Sequence, residues 1–132
     1  DPAIAEAQAE IARAQHIVLI FPLWLGTMPA LTKAFLEQAL RPGFAIRQGD
    51  RMTLRPGLLG GRSVRVVVTM GMPAFVYRWF FGAHSLKSLE RNILRFVGLG
   101  PIRESIVGMV EGAADKRRAW LDRMRALGAK AI

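Results

Sequence analysis

The chain has 132 residues, 52% of them hydrophobic, which is enough apolar material for one packed domain and argues against intrinsic disorder. Cysteine is absent, so disulfides, thiolate nucleophiles and zinc–thiolate sites are excluded. The two histidines, His16 and His84, stand far apart and have no carboxylate at ligand spacing, so we expect no metal site.

The basic character of the chain, a net charge of +9, raises nucleic acid, phosphorylated cofactors and acidic membrane surfaces as partners. The arginines are scattered through mixed-charge segments, which is typical of a solvated surface, and no helix-turn-helix, RNP-like or zinc signature accompanies them. We therefore expect no nucleic-acid binding. The apolar run at 17–31 is interrupted by two prolines and a glycine and is too short to cross a bilayer. The absence of cysteine is compatible with a reducing compartment without demanding one, and we expect a cytoplasmic protein.

Helices and strands are predicted to alternate along the chain. Asp1 can cap a first helix, and the run HIVLIF at 16–21 is β-branched and apolar without alternation, which indicates a parallel strand covered on both faces. Ser85 can cap a later helix. In chain order the predicted segments are a helix at 2–14, a strand at 16–21, a helix at 29–40, a long Gly- and Arg-rich excursion at 42–62, a strand at 64–70, a helix at 86–97, a strand at 102–110 and a helix at 113–127.

Two parts of this pattern are less regular, one helix start and one aromatic-rich segment. The helix at 29–40 is begun by Thr27 or Met28, ahead of a proline in its first turn. The aromatic-rich segment at 73–83 has neither helical nor strand periodicity, and its aromatic side chains are expected to divide between the core and a subunit interface.

This alternation predicts an α/β fold in which a parallel sheet has helices on both faces. Three strands make a narrow sheet, and the run at 16–21 is too apolar for an exposed edge. We therefore expect a further strand to pair with it, supplied either by a segment upstream of Asp1 or by another chain.

In open parallel sheets, ligands bind beyond the carboxyl ends of the strands. The loop at 22–26 leads to a helix start with free N–H groups, and the loop at 69–73 offers a hydroxyl, methionine sulfur atoms and close backbone approach at Gly71. Together the two loops suit a flat ring with polar edges.

Two stretches carry a family resemblance. The segment from His16 to Ala45, which contains IVLIFPLWLGTMPALTKAFLEQALRPGFA, and the segment from Val64 to Ser85, VRVVVTMGMPAFVYRWFFGAHS, resemble the NAD(P)H:quinone oxidoreductases of the flavodoxin-like superfamily. The resemblance implies a flavodoxin-like three-layer α/β fold, of which residues 1–132 form one domain, the carboxyl-terminal two thirds. The family's first strand, phosphate-binding loop and second strand would then precede Asp1. The chain by itself is accordingly expected to hold flavin poorly or to be inactive.

The resemblance also implies roles for particular residues. Tyr77 and His84 would stabilise charge and protons on the reduced flavin ring. Leu25 replaces an aromatic residue common in the family, and Ile46 replaces a tyrosine. The cofactor-binding positions implied are Pro22, Leu23, Trp24, Leu25, Thr69, Met70, Gly71, Met72 and Tyr77, and the substrate-binding positions are Gly26, Phe44 and Ile46. Trp24, Thr69 and His84 also have structural explanations, as a packing residue, a strand-end hydroxyl and a surface histidine.

The implied activity is hydride transfer from NAD(P)H through FAD or FMN to a quinone, in a homodimer whose excursion at 42–63 completes the partner's pocket. Two alternatives share the fold. One is an ancillary subunit that regulates a potassium-efflux system and so has a peripheral membrane partner, and the other is an FMN or azo reductase.

Overall fold

The computed structural model describes residues 1–49 and 57–132. Within these residues one sheet of three parallel strands is flanked by four α-helices and two π-helical segments. The elements are α1 (Pro2–Arg13), β1 (His16–Pro22), α2 (Ala30–Ala39), β2 (Ser63–Thr69), π1 (Val76–Phe80), α3 (His84–Ser88), π2 (Leu89–Leu94), β3 (Ile102–Val107) and α4 (Ala114–Ala129). No helix in this described part of the chain is both long and apolar enough to span a bilayer.

The sheet has the order β1-β2-β3, so the central strand is β2. Residues along β2 are buried on both faces, with Val64 and Val66 completely inaccessible to solvent, as its unbroken β-branched run predicts. The α/β class and the parallel sheet predicted from the sequence are confirmed.

Helices cover both faces of the sheet. Val66 and its same-face neighbours pack with Leu36 of α2 and Leu86 of α3 in the main core. The adjacent Arg65 points to the opposite face, where its Nε donates to the carbonyl oxygen of Ile132, just beyond α4, at 2.6 Å. Successive residues of a strand point to opposite faces of the sheet. Helices α2 and α3 therefore lie on one face, and α4 lies on the other.

Strand β1 lies at an edge of the sheet in the part of the chain described, pairing only with β2. Its side chains on the α4 face are open to solvent: Val18 is 49% exposed and Ile20 68% exposed. The expected burial on both faces is therefore wrong for these residues. That another strand pairs with this edge stays a prediction.

Helix starts differ in detail from the sequence expectation. Asp1 caps α1 as predicted, its Oδ1 accepting from the Ala3 N–H at 2.9 Å. Helix α2 has Pro29 at its N-cap, so the assignment of Thr27 or Met28 is wrong. Ser85 is not the cap of the third helix either, because that helix begins one residue earlier and its N-cap is Ala83.

The aromatic segment without clear periodicity forms π1. The N–H of Phe81 donates to the carbonyl of Val76, five residues back, at 3.1 Å. In this wider helix Tyr77 points into the core, whereas Trp79 and Phe80 are 76% and 81% exposed. This division into buried and exposed aromatic side chains fits the absence of a 3.6-residue period in the sequence. Residues 50–56 of the predicted excursion lie outside the described residues.

Candidate active site

The loops that follow the three strands meet at the carboxyl edge of the sheet. The N–H of Leu23, after β1, donates to the carbonyl of Thr69 at 2.8 Å, and the N–H of Met70, after β2, donates to the carbonyl of Val107 at 2.9 Å. Parallel strands in this register end at one level, so their loops form a common floor. This is the edge at which the sequence predicts a ligand.

The loop after β1 continues as a tight hairpin. Trp24 and Thr27 exchange backbone hydrogen bonds of 2.9 and 3.0 Å, and the two residues between them have φ of +49° (Leu25) and +78° (Gly26). Two successive positive φ angles define a type I′ turn, for which glycine is suited but leucine is not. The left-handed conformation of Leu25 costs about 1–2 kcal/mol. The hairpin therefore holds a strained, fully exposed leucine at the edge of the site.

A cavity of about 810 Å³ lies between this hairpin and the start of α3. Its volume is in the range of small-molecule sites. It brings together four of the residues predicted to form the site, Trp24, Leu25, Gly26 and His84. The rest of its lining is Thr27, Met28, Pro29, Ala30, Lys33, Ser85, Ser88, Leu89 and Ile93.

His84 is presented to this cavity by an unusual backbone. Gly82 and Ala83, immediately before it, have φ of +66° and +50°. A Cβ at residue 82 would lie 3.2 Å from Nε2 of His84, so the imidazole folds back over the glycine. Gly82 thus supplies both the left-handed conformation and the space that the ring needs.

Tyr77 lies in the core beneath the same helix start and does not line the described cavities. It is 3% exposed, and its hydroxyl accepts from the Leu86 N–H at 3.2 Å. This bond satisfies one of the free N–H groups in the first turn of α3, the task predicted for Ser85. Burial raises the pKa of Tyr77, whereas the hydrogen bond from the Leu86 N–H and the nearby Ser85 hydroxyl act in the opposite direction. The phenol is a neutral structural cap in this arrangement.

The loop after β2 is anchored on one side and open on the other. The carbonyls of Met70 and Met72 accept from Val110 and Met109 at 3.0 Å each. A Cβ built on Gly71 meets no atom within 4 Å, and among the described residues no acceptor contacts the N–H of Gly71 or Met72. The loop therefore presents free backbone donors that a flat ligand can approach closely.

Phe44 and Ile46 lie away from the main cavity. Both are half-buried against the core, around the completely buried Ala45. Ile46 lines a second cavity of about 180 Å³ that shares Lys33 and Ile93 with the first. Neither residue lines the main cavity, and their contact with substrate stays a prediction.

Sequence reasoning missed three residues that helical segments add to the cavity, Lys33 of α2, Ser88 of α3 and Ile93 of π2. Ser88 stands one helical turn after His84, and the i, i+4 spacing of these two residues on one helical face was a usable signal. Ser85 Oγ donates to Thr27 Oγ1 at 3.1 Å across the cavity. Neither hydroxyl belongs to a recognisable motif.

Comparison with known proteins agrees with this geometry. A family model described as the flavodoxin-like fold matches residues 1–129, and the chain belongs to that family. The relationship predicted from the two motifs is thereby confirmed.

The sequence identity between this chain and an individual relative is low. A curated protein named uncharacterized NAD(P)H oxidoreductase, from Haemophilus influenzae, is 28% identical over 109 residues, which are 82% of this chain and 53% of the relative. The chain therefore spans about half the length of that relative.

Two solved structures show the same fold. The NAD(P)H:quinone oxidoreductase from Methanothermobacter marburgensis has a TM-score of 0.77 at 24% identity, covering 97% of this chain and 62% of that one. An FMN-dependent NADH-azoreductase from Bacillus anthracis, in complex with FMN, has a TM-score of 0.70 at 16% identity, covering 99% of this chain and 65% of that one.

Proposed function

We propose that the protein is a flavin-dependent NAD(P)H oxidoreductase that uses a quinone as electron acceptor. The observation that carries this proposal is the cavity at the carboxyl edge of the sheet, which brings Trp24 and His84 together. The names of the Haemophilus and Methanothermobacter proteins support the same class of reaction.

The residues present fit a flavin, either FAD or FMN. A flavin ring is flat and has carbonyl and nitrogen acceptors along its edge, and the free N–H groups of Gly71 and Met72 are donors beside an open surface. When bound, flavin takes up a hydride from NAD(P)H and delivers it to the acceptor. In this proposal Leu23, Trp24 and the segment from Thr69 to Met72 would hold the ring.

The chain's own side chains then have distinct tasks. The Trp24 indole is 63% exposed on the cavity wall and offers a stacking face to a planar acceptor. His84, held over Gly82, supplies a proton to the acceptor oxygen as it gains charge. Tyr77 positions His84 by fixing the first turn of α3, through its bond to Leu86.

We also propose that two copies associate. Phe75, Trp79, Phe80 and Phe81 are all exposed around π1, and an apolar cluster of this size is typical of a protein interface. The edge-to-face pair of Phe80 and Phe81, with ring centroids 5.0 Å apart, presents a preformed surface. Analytical ultracentrifugation of Trp79→Ser should then give a monomer where the unsubstituted protein is a dimer.

The test of the activity uses the protein isolated from its natural host. Flavin released on denaturation and quinone-dependent oxidation of NADH or NADPH, followed at 340 nm, are the two expected results. In recombinant protein, His84→Asn should lower kcat about 100-fold. His16→Asn is the matched control, because His16 lies at the other end of β1 and bonds to Ser63. Absence of both flavin and quinone-dependent oxidation would exclude the proposal.

A further inference from the structure

The main cavity has charge of one sign only. Among its lining residues Lys33 and His84 are the groups that can carry charge, and both are basic; the described lining contains no carboxylate. A wall of this kind favours a ligand with a negative substituent, since an acidic group would find attraction and no repulsion.

Lys33 is placed to meet such a substituent. It lies in the first turn of α2 and borders both the main cavity and the smaller one that contains Ile46. Its Nζ contacts the Glu37 carboxylate one turn further along the helix, and both side chains are largely exposed. An exposed ion pair at i, i+4 on a helix changes the equilibrium constant for helix formation only about twofold. The Lys33 ammonium group is therefore available to a competing anion.

The remaining wall selects for an aromatic body. Trp24, Met28, Leu89 and Ile93 are apolar, and about 810 Å³ accommodates two or three fused rings with a substituent. Lys33 stands on α2, whereas His84 stands at the start of α3, and both line the cavity. A planar ligand in the cavity is therefore exposed to basic groups from two different elements.

We propose, resting on the function proposed above, that this cavity prefers planar aromatic acceptors bearing an anionic group, such as a sulfonate or carboxylate, and that Lys33 determines this preference. The ring system packs against Trp24. The anionic group displaces Glu37 from Lys33.

Direct binding tests this without turnover or flavin. The dissociation constants of anthraquinone-2-sulfonate and of neutral 2-(hydroxymethyl)anthraquinone are measured by isothermal titration calorimetry at low and high salt. We expect the sulfonate to bind about fivefold more tightly at low salt, with the difference shrinking as salt is added. Lys33→Gln should abolish the difference, and Glu37→Gln should increase it about twofold by freeing the ammonium group.

Lys116→Gln, on the exposed surface of α4, is the matched control, because it changes net charge equally but lies outside the cavity. Equal affinity for the two compounds, binding of neither, or equal effects of Lys33→Gln and Lys116→Gln would each overturn the inference. Flavin content and menadione-dependent NAD(P)H oxidation, measured on the same preparation, decide the proposed function separately because menadione is neutral.

Discussion

Replacing Tyr77 by phenylalanine tests its structural role as the partner of a free N–H group at the start of α3. The substitution keeps the ring, so packing in the core is preserved, and removes only the hydroxyl that accepts from the Leu86 N–H. That N–H is buried and would lose its partner. A buried donor left without a partner costs about 1–3 kcal/mol, so we expect the free energy of unfolding to fall by about 2 kcal/mol.

Two measurements check this expectation. For a domain of this size the loss corresponds to a lower Tm by about 5–10 °C, measurable by circular dichroism. Tyr77 is the only tyrosine in the chain, so absorbance of tyrosinate in the ultraviolet reports this phenol alone. Because burial raises the pKa of Tyr77, that absorbance should appear above the pH at which a free tyrosine ionises, about 10.

Ser88→Ala is the control for this substitution. It removes an exposed hydroxyl from the same helical region, where Ser88 accepts from Asn92 at 3.3 Å, and should change stability by less than about 0.5 kcal/mol. The reasoning is refuted if Tyr77→Phe unfolds at the same temperature as the unsubstituted protein and the phenol ionises as a free tyrosine does.

The remaining predictions concern a carboxyl pair and two glycines. Burial and the neighbouring Glu90 raise the pKa of Glu104, so its stabilising effect is present below about pH 4 and is lost as pH rises through the folded pKa. In urea unfolding, the advantage of Glu104→Gln over the unsubstituted protein should therefore grow between about pH 4 and pH 8. Gly108→Ala places a Cβ 2.4 Å from the backbone nitrogen of Ala74 and should destabilise the fold by about 1–3 kcal/mol. Gly128→Ala in α4 meets nothing within 4 Å and should stabilise it by about 0.5–1 kcal/mol, measured in the same unfolding assay.

The first two strands could be predicted from the sequence to within one residue at each end, whereas the third ends at Val107, three residues before the predicted end. The runs that became β1, β2 and β3 are short, β-branched and bounded by turn residues, so local preference and final burial agree. What the pattern could not show is which run would stand at an edge. The exposure of Val18 and Ile20 depends on neighbours in space rather than on their own chemistry.

The candidate site could be predicted where its residues lie in a loop that follows the end of a strand. It could not be predicted where the positions of its residues depend on tertiary contacts. Trp24 lies in the loop after β1 and His84 at the start of α3, between β2 and β3 in the chain, and the two residues line one cavity. The cap of α3 comes instead from Tyr77, nine residues before Leu86, and no local rule connects them. Ile46 was assigned by resemblance alone, and the structure places it in the lining of the smaller cavity.

The hydroxyl contact between Ser85 and Thr27 links two segments that are far apart in the chain. It joins the two sides of the opening, is exposed to water, and contributes about 0.5–1.5 kcal/mol, a small multiple of thermal energy. The hairpin after β1 and the start of α3 are therefore held together only weakly at this point.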